Sequence, residues 1–158
     1  MSMTLNEGLK LGFMARMATR ADPIAVVQLA EDNGFDSLWL GDHLVFAVPI
    51  LDPLIQLAQA AALSDRLTVA TGVYLLALRH PTPTAKMAAT LDHISGGRFI
   101  FGTGVGGEFP GEFAAAGVPH KERGSRTSES IEVIRKLWSG EEITHKGRHF
   151  DLPPTRML

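Results

Sequence analysis

Three proline-containing pairs recur along the chain at a constant spacing of thirty residues: Asp22-Pro23, Asp52-Pro53 and Thr82-Pro83. Each pair precedes a segment in which apolar residues have helical spacing. An Asp or Thr side chain can accept hydrogen bonds from the first free amides of a helix, and proline is favoured in the first helical turn. The spacing therefore predicts three helices that begin at equivalent points of a structural repeat.

A short apolar run precedes each of these helices, and a fourth run precedes a fourth helical pattern at about 124–139. The runs are residues 9–15, 37–40, 67–76 and 99–101. They show little polar alternation, which is typical of strands buried on both faces of a sheet. Four strand–helix units in succession predict an α/β fold with a parallel sheet and right-handed crossovers. The period suits a (β/α)8 TIM barrel of ~250 residues, of which this chain would supply about the first four units.

The end of the chain has a different pattern. Residues 143–145 and 148–152 flank Lys146-Gly147, which predicts a small hairpin with a tight turn. The turn separates His145 from His149 and disfavours a metal site there. Because no linker or second domain is indicated, residues 1–158 are predicted to form the N-terminal portion of a single barrel domain.

Composition restricts the partners. The 158 residues carry a formal net charge of −2, which gives no reason to expect nucleic acid or an anionic membrane. The absence of cysteine excludes a disulfide framework and a thiolate metal site. The first twenty residues include Glu7, Lys10, Arg16 and Arg20 and resemble no signal peptide. The uncharged run 67–78 has 12 residues, too few to span a bilayer. We therefore predict a cytoplasmic protein.

A glycine-rich loop follows the fourth predicted strand. Gly102, Gly104 and Gly107 have the G-x-G-x-x-G spacing of dinucleotide-binding proteins. In those proteins the glycines open a helix, whereas here Pro110 and Gly111 follow and the next helical pattern begins more than ten residues later. We favour a long active-site loop in which glycine lets a planar ligand approach the backbone. A nicotinamide-binding domain is the weaker alternative.

Candidate catalytic groups follow the predicted strands, because barrel enzymes place them at the C-terminal strand ends. His43 follows the second strand and is a candidate general acid or base, since imidazole titrates near neutral pH. The alternative is a histidine that only satisfies the strand end. Glu108 follows the fourth strand, either as a proton donor or as a solvated loop carboxylate. Arg79 and His80 are candidates for ligand contacts or for capping the third helix.

Three segments together resemble the luciferase-like monooxygenases, the bacterial-luciferase-like oxidoreductases. These segments are DSLWLGDH (36–43), TGVYLLALRHPTPTAKMAATLDHISGGRFIFGTGVGG (71–107) and ERGSRTSESIEVIRKLWSG (122–140). The terminal ITHKGRHFDLPP also looks like the family's insert before the fifth strand. The resemblance implies a (β/α)8 barrel and a reduced cofactor, either FMN or the deazaflavin coenzyme F-420. It further implies hydride or oxygen transfer to a small organic substrate.

The resemblance also implies roles for particular residues. Asp42 and His43 match the motif that faces the reactive edge of the ring in the coenzyme F-420 members. His43 is then the implied base or proton relay, and the pair favours coenzyme F-420 over FMN. Thr71, Gly72 and Val73 match the end of the third strand, where such members hold a non-proline cis peptide against the ring.

The loop after the fourth strand is the second implied contact with the cofactor. Gly104, Gly106, Gly107 and Glu108 match this loop, in which some members carry a proton-donating Glu. The loop has one extra residue in this chain. Whether Glu108 fills that role or Gly107 replaces it is therefore open.

Length is the main departure from the family. Four units and a hairpin leave two unpaired sheet edges and an uncovered interior, so a homo-oligomer is predicted. The chain is either an incomplete copy of an oxidoreductase or a short protein that completes its barrel by self-association without catalysis. The sequence favours the first interpretation, because it stops where a fifth strand is expected.

Overall fold

A computed structural model describes residues 8–158. Its centre is a four-stranded parallel sheet of β1 (Gly12–Ala15), β2 (Ser37–Leu40), β3 (Thr68–Thr71) and β5 (Phe99–Ile100). The strands lie side by side in chain order. The helices α1 (Asp22–Asp32), α2 (Pro53–Leu63) and α3 (Pro81–Ile94) connect them in turn. The predicted α/β fold with a parallel sheet is confirmed.

Two of the predicted strands are interrupted. The apolar run 67–76 ends its first strand at Thr71 and resumes as β4 (Tyr74–Leu75), followed by a 3-10 turn at Leu76–Leu78. The fourth strand resumes as β6 (Thr103–Gly104), which pairs with β4 in parallel. Both continuations extend towards the carboxyl end of the sheet, where the candidate residues lie.

The second half of the chain adds two helices and a hairpin. A short helix α4 (Pro110–Ala115) precedes α5 (Arg123–Leu137), and β7 (Glu142–Lys146) pairs antiparallel with β8 (Asp151–Arg156). The hairpin is confirmed. The sequence predicted no helix between the glycine-rich loop and residue 124, so α4 is a correction. Within residues 8–158 no helix is long and apolar enough to cross a membrane.

The helix starts follow the thirty-residue spacing with two differences. Asp52 caps α2 as expected, because its carboxylate accepts hydrogen bonds from two amides of the first turn. Asp22 lies inside α1 instead, and its carboxylate accepts from two amides of the preceding loop. The third helix begins at Pro81, one residue before the predicted pair, and the His80 side chain caps it. The capping interpretation of His80 is therefore confirmed.

The helices cover only one face of the sheet. Leu38, Leu40 and Val69 are buried beneath them in the main hydrophobic core. The register places Met14 and Ile100 in the row that points to the opposite face, where they are 63% and 45% exposed. The described residues close no barrel, so this face of the sheet stays open.

Candidate active site

An open cleft of about 490 Å³ lies at the carboxyl ends of the parallel strands. Segments after β2, β3 and β5 contribute most of its wall, and Met14 of β1 and Glu112 of α4 complete it. The lining residues are Met14, Gly41, Asp42, His43, Gly72, Val73, Leu75, Gly104, Val105, Gly106, Gly107, Glu108, Phe109 and Glu112. The cleft therefore brings together segments that are far apart in the sequence.

His43 is held at the cleft by a buried carboxylate. Its Nδ1 lies 3.0 Å from Oε2 of Glu112, which is 2% exposed. The other oxygen of Glu112 accepts hydrogen bonds from the backbone amides of Leu44 and Val45, at 2.7 and 3.2 Å. A carboxylate at Nδ1 favours a proton on that nitrogen and leaves Nε2 available for a ligand.

Two phenyl rings fix the plane of the His43 imidazole. Phe46 stacks on it with ring centroids 4.0 Å apart and an interplanar angle of 16°. Phe109 approaches edge-on at 5.5 Å and 82°, and also contacts the Phe46 ring at 4.7 Å. Such aromatic pairs favour stacked and edge-to-face geometry. The imidazole therefore has a defined orientation.

Asp42 uses its carboxylate inside the protein. Arg79 binds it through both terminal nitrogens, at 2.5 and 2.9 Å, and the amide of Leu75 donates to it at 2.8 Å. The Arg79 guanidinium lies 4.2 Å above the Tyr74 ring. Burial raises the pKa of Tyr74 to about 12, although the charge of Arg79 acts in the opposite direction. Asp42 thus ties the loop after β2 to β4 and to the residues before α3.

The third and fourth strands approach each other closely at the cleft. The peptide bond between Gly72 and Val73 is cis, as predicted. Thr71 is fully buried behind the cleft, and its hydroxyl donates to the carbonyl of Gly102 at 2.8 Å. A Cβ at Gly102 would collide with the Thr71 carbonyl oxygen, and one at Gly104 with the Val73 side chain. These glycines are thus required by strand packing.

The remaining glycines shape the loop itself. Gly106 and Gly107 have φ values of 61° and 123°, which favour glycine. His120 donates from Nε2 to the Gly107 carbonyl at 3.1 Å and holds the loop against the segment before α5. Glu108 follows as an exposed side chain at the edge of the cleft.

The structure brings most of the predicted site residues into one cleft. Thr71, Arg79 and His80 are the exceptions: Thr71 lies behind the wall, Arg79 binds Asp42, and His80 caps α3. Glu112 is the functional candidate that the sequence analysis missed, since it lies on the unpredicted helix α4. Its signal was present: Pro110 suits the start of a helix, and an acidic residue is favoured in the first turn that follows.

The cleft fits a planar, largely apolar ring system. Val73 is 42% exposed and Met14 63% exposed, so both offer apolar surface to a ligand. A Cβ on residue 72 would lie 3.2 Å from the side chains of Met14 and Trp39. Because glycine has no Cβ, the surface of the cleft is flat at this position. Close backbone approach of this kind is what a flat cofactor requires.

The family model of the luciferase-like monooxygenases matches residues 7–158. The chain belongs to this family. Two relatives illustrate its range. The luciferase-like chain is 35% identical to 4-hydroxyprotoasukamycin monooxygenase of Streptomyces nodosus subsp. asukaensis, over 85% of this chain and 36% of that protein. It is 37% identical to the F420-dependent glucose-6-phosphate dehydrogenase of Beutenbergia cavernae, over 90% of this chain and 45% of that one.

A solved structure has the same fold. The oxygenating constituent of 3,6-diketocamphane monooxygenase from Pseudomonas putida, in complex with FMN, superposes with a TM-score of 0.80 at 24% identity. The match covers 90% of this luciferase-like chain and 42% of that one. The chain therefore spans less than half the length of these three proteins.

Proposed function

We propose that this chain carries the reactive side of a flavin- or deazaflavin-dependent oxidoreductase or monooxygenase that acts on a small organic molecule. The observation that carries the proposal is the His43 imidazole, fixed by Glu112 beside a cleft lined with glycine. A titratable group held in this way suits proton transfer next to a bound ring. Membership of the luciferase-like family supports the same reaction class.

Different parts of the cleft have different roles in this proposal. Met14, Gly72 and Val73 would hold the ring, and the backbone from Gly104 to Gly107 would contact it as well. When bound, the reduced cofactor supplies the hydride or activates oxygen. The protein orients the ring and limits its contact with water.

His43 moves the proton in the proposed reaction. With Nδ1 donating to Glu112, Nε2 accepts a proton from the substrate or returns one to it. Glu112 stabilises the imidazolium that forms and keeps the ring in place. Glu108 is proposed as a second proton-transferring group at the edge of the cleft. Asp42 positions the loop through Arg79, and its predicted contact with the cofactor stays a prediction.

The cofactor is proposed to be coenzyme F-420 in preference to FMN. The Asp42-His43 pair supports this choice, and the relatives include an F420-dependent dehydrogenase as well as a monooxygenase with FMN. Parallel fluorescence titrations of an active enzyme that contains this chain with the two cofactors separate the alternatives, because the 158-residue chain alone is not expected to hold either cofactor tightly. Tighter binding of FMN would reverse the preference, and binding of neither would contradict the proposed function.

The reaction is tested by replacing His43. In an active enzyme that contains this chain, His43→Ala is expected to lower turnover at least tenfold, the low side of general acid–base effects of ~10²–10⁴. Cofactor affinity changes less, because the ring contacts remain. His93→Ala, at an exposed position of α3, is the matched control and leaves turnover unchanged. Unchanged turnover in His43→Ala would contradict the assignment.

We propose further that residues 1–158 form the N-terminal portion of a (β/α)8 barrel. The parallel sheet, the period of its units and the coverage of the relatives support this. The open sheet face also supports self-association of the isolated chain, because a second copy can cover Met14 and Ile100. Size-exclusion chromatography with light scattering tests this, and a stable monomer would contradict it. A cytoplasmic location stays a prediction.

The same open face favours one alternative function, a non-catalytic association module. An uncovered apolar sheet face needs a partner whether or not the cleft is catalytically active. An oligomer that binds neither FMN nor coenzyme F-420 would favour the module. The nicotinamide-binding alternative is weakened by the close strand packing at Gly102 and Gly104, which explains these glycines without a phosphate.

A further inference from the structure

A second hydrophobic cluster lies beneath α4, next to the cleft. Its buried members are Leu75, Ala77, Leu78, Phe113 and Val118. In the described part of the chain, none of these five residues belongs to the main core. Small clusters with their own packing can open locally while the rest of a domain stays folded. The position of α4 is therefore decided by contacts other than those that hold the sheet and its helices.

Phe113 is the residue that holds α4 in place. The helix has six residues, and its N-terminus has no side-chain capping hydrogen bond. A helix this short is unstable on its own in water, so packing against the rest of the protein decides whether it forms. Phe113 is the one large apolar side chain in its sequence PGEFAA and is 1% exposed. Because Glu112 directly precedes it, docking of Phe113 also brings the Glu112 carboxylate to Nδ1 of His43.

The glycine-rich loop rests on two rings, those of Phe113 and His120. The rings meet edge-on, with centroids 5.0 Å apart and an interplanar angle of 86°. His120 donates from Nε2 to the Gly107 carbonyl, and its own carbonyl accepts from the Arg123 guanidinium at 3.1 Å. A Cβ on residue 106 would lie 3.5 Å from the Phe113 ring. The wall of the cleft and the partner of His43 thus depend on the same two side chains.

We propose that Phe113 and His120 are positioning residues of the candidate active site, and that α4 has a docked and an undocked state. In the docked state Glu112 orients the His43 imidazole. In the undocked state Phe113 leaves the second cluster and His43 loses its carboxylate, while the main core stays folded. The inference rests on the proposed function, because the orientation of His43 matters to the reaction only if His43 transfers the proton.

Amide hydrogen exchange of the 158-residue chain tests whether α4 undocks by itself. The amides of Leu44 and Val45 donate to Glu112 and report the docking of α4, whereas the slowest amides of α2 report global unfolding. In the wild type Leu44 and Val45 are expected to exchange faster than those α2 amides. Leu57→Val, in the main core, should accelerate the α2 amides and leave Leu44 and Val45 unchanged, because the undocked state keeps that core.

Variants of Phe113 test its part in docking. Phe113→Ala is expected to accelerate exchange at Leu44 and Val45 by about tenfold or more, because it empties a buried site that α4 needs. Phe113→Leu refills most of this site and should restore most of the protection. Equal exchange at Leu44 and Val45 in Phe113→Ala and the wild type would overturn the role of Phe113.

The nitrogen-15 resonances of the His43 ring separate positioning from a general effect on stability. With Glu112 in place, the tautomer with its proton on Nδ1 is expected to dominate. Phe113→Ala and His120→Leu should each shift the resonances towards a mixture of both tautomers. His120→Gln is expected to restore the wild-type resonances, because its amide can still donate to Gly107. Leu57→Val should leave them unchanged.

Several results would overturn the inference. Exchange of Leu44 and Val45 at the rate of the slowest α2 amides would show that α4 leaves its cluster only when the whole domain unfolds. This comparison needs the wild type alone and holds even if Phe113→Ala does not fold. Unchanged His43 resonances in His120→Leu, or the same shift in Leu57→Val, would contradict positioning. Neither measurement involves a cofactor or turnover, so full turnover in His43→Ala would contradict the proposed function and leave the docking of α4 intact.

Discussion

Oε2 of Glu112 lies 3.0 Å from Nδ1 of His43, although the two residues are 69 positions apart in the sequence. The other carboxylate oxygen accepts from the amides of Leu44 and Val45. One buried side chain therefore positions the catalytic candidate and the backbone of the two residues that follow it. Glu112 is a positioning residue, since it acts through His43 and the loop.

Glu112→Ala is expected to destabilise the protein by about 1–3 kcal/mol, because two backbone amides and the imidazole lose their buried acceptor. Urea denaturation followed by circular dichroism measures this. Hydrogen exchange at Leu44 and Val45 should accelerate in parallel. Glu108→Ala removes an exposed carboxylate from the same cleft and is expected to change stability little. Similar losses for both variants would show that the Glu112 contacts contribute nothing specific.

The Asp42–Arg79 pair is expected to behave as a coupled unit. The side chain of Asp42 is fully buried and that of Arg79 is 14% exposed. Arg79→Ala leaves the buried Asp42 carboxylate without its cation, and Asp42→Ala leaves Arg79 only the Asp52 carboxylate at 3.5 Å. Arg79→Ala and Asp42→Ala are each expected to cost about 3–5 kcal/mol. The double variant should cost clearly less than the sum of the two. Additive losses in a double-mutant cycle would contradict the coupling.

The sequence predicted the positions of the helices and strands better than the contacts between side chains. The thirty-residue spacing located the helices to within a few residues, because caps, prolines and apolar periodicity are local signals. It also placed His43, Asp42 and Glu108 correctly at strand ends. It missed Glu112, because the partner of a histidine 69 positions away is decided by tertiary packing. The internal use of Asp42 by Arg79 was hidden for the same reason.

The glycines of the G-x-G-x-x-G loop show the same limit. Their spacing alone resembles a dinucleotide-binding motif, yet Gly102 faces the backbone of the neighbouring strand. Gly102→Ala is expected to destabilise the protein by about 1–3 kcal/mol, because a Cβ collides with the rigid Thr71 carbonyl. Gly111→Ala is the control, since a Cβ there meets nothing within 4 Å. Thermal unfolding compares the two, and equal stability would contradict the packing explanation.

The hairpin at the end of the chain depends on a carboxylate of α5. Glu129 accepts hydrogen bonds from the backbone amides of His149 and Phe150 and contacts Nε2 of His145 at 3.1 Å. Burial alone would raise the pKa of Glu129. The hydrogen bonds from His145 and the two amides outweigh burial, so the pKa lies below its usual 4.5.

A carboxyl with a lowered pKa stabilises the folded state above its unfolded pKa, and this contribution is lost as the pH falls through the folded value. The stabilisation that Glu129 gives the hairpin is therefore expected to be complete at neutral pH and to decrease below about pH 4.5. Glu129→Gln is expected to lower the free energy of unfolding at pH 7. Under acid conditions the difference in this free energy between the variant and the wild type should become smaller. Urea denaturation at several pH values measures both. Glu141→Gln, an exposed carboxylate at the start of the hairpin, is the control and should follow the wild type. If Glu129→Gln lowers the free energy of unfolding by the same amount at pH 7 and pH 3, the charge of Glu129 does not stabilise the hairpin.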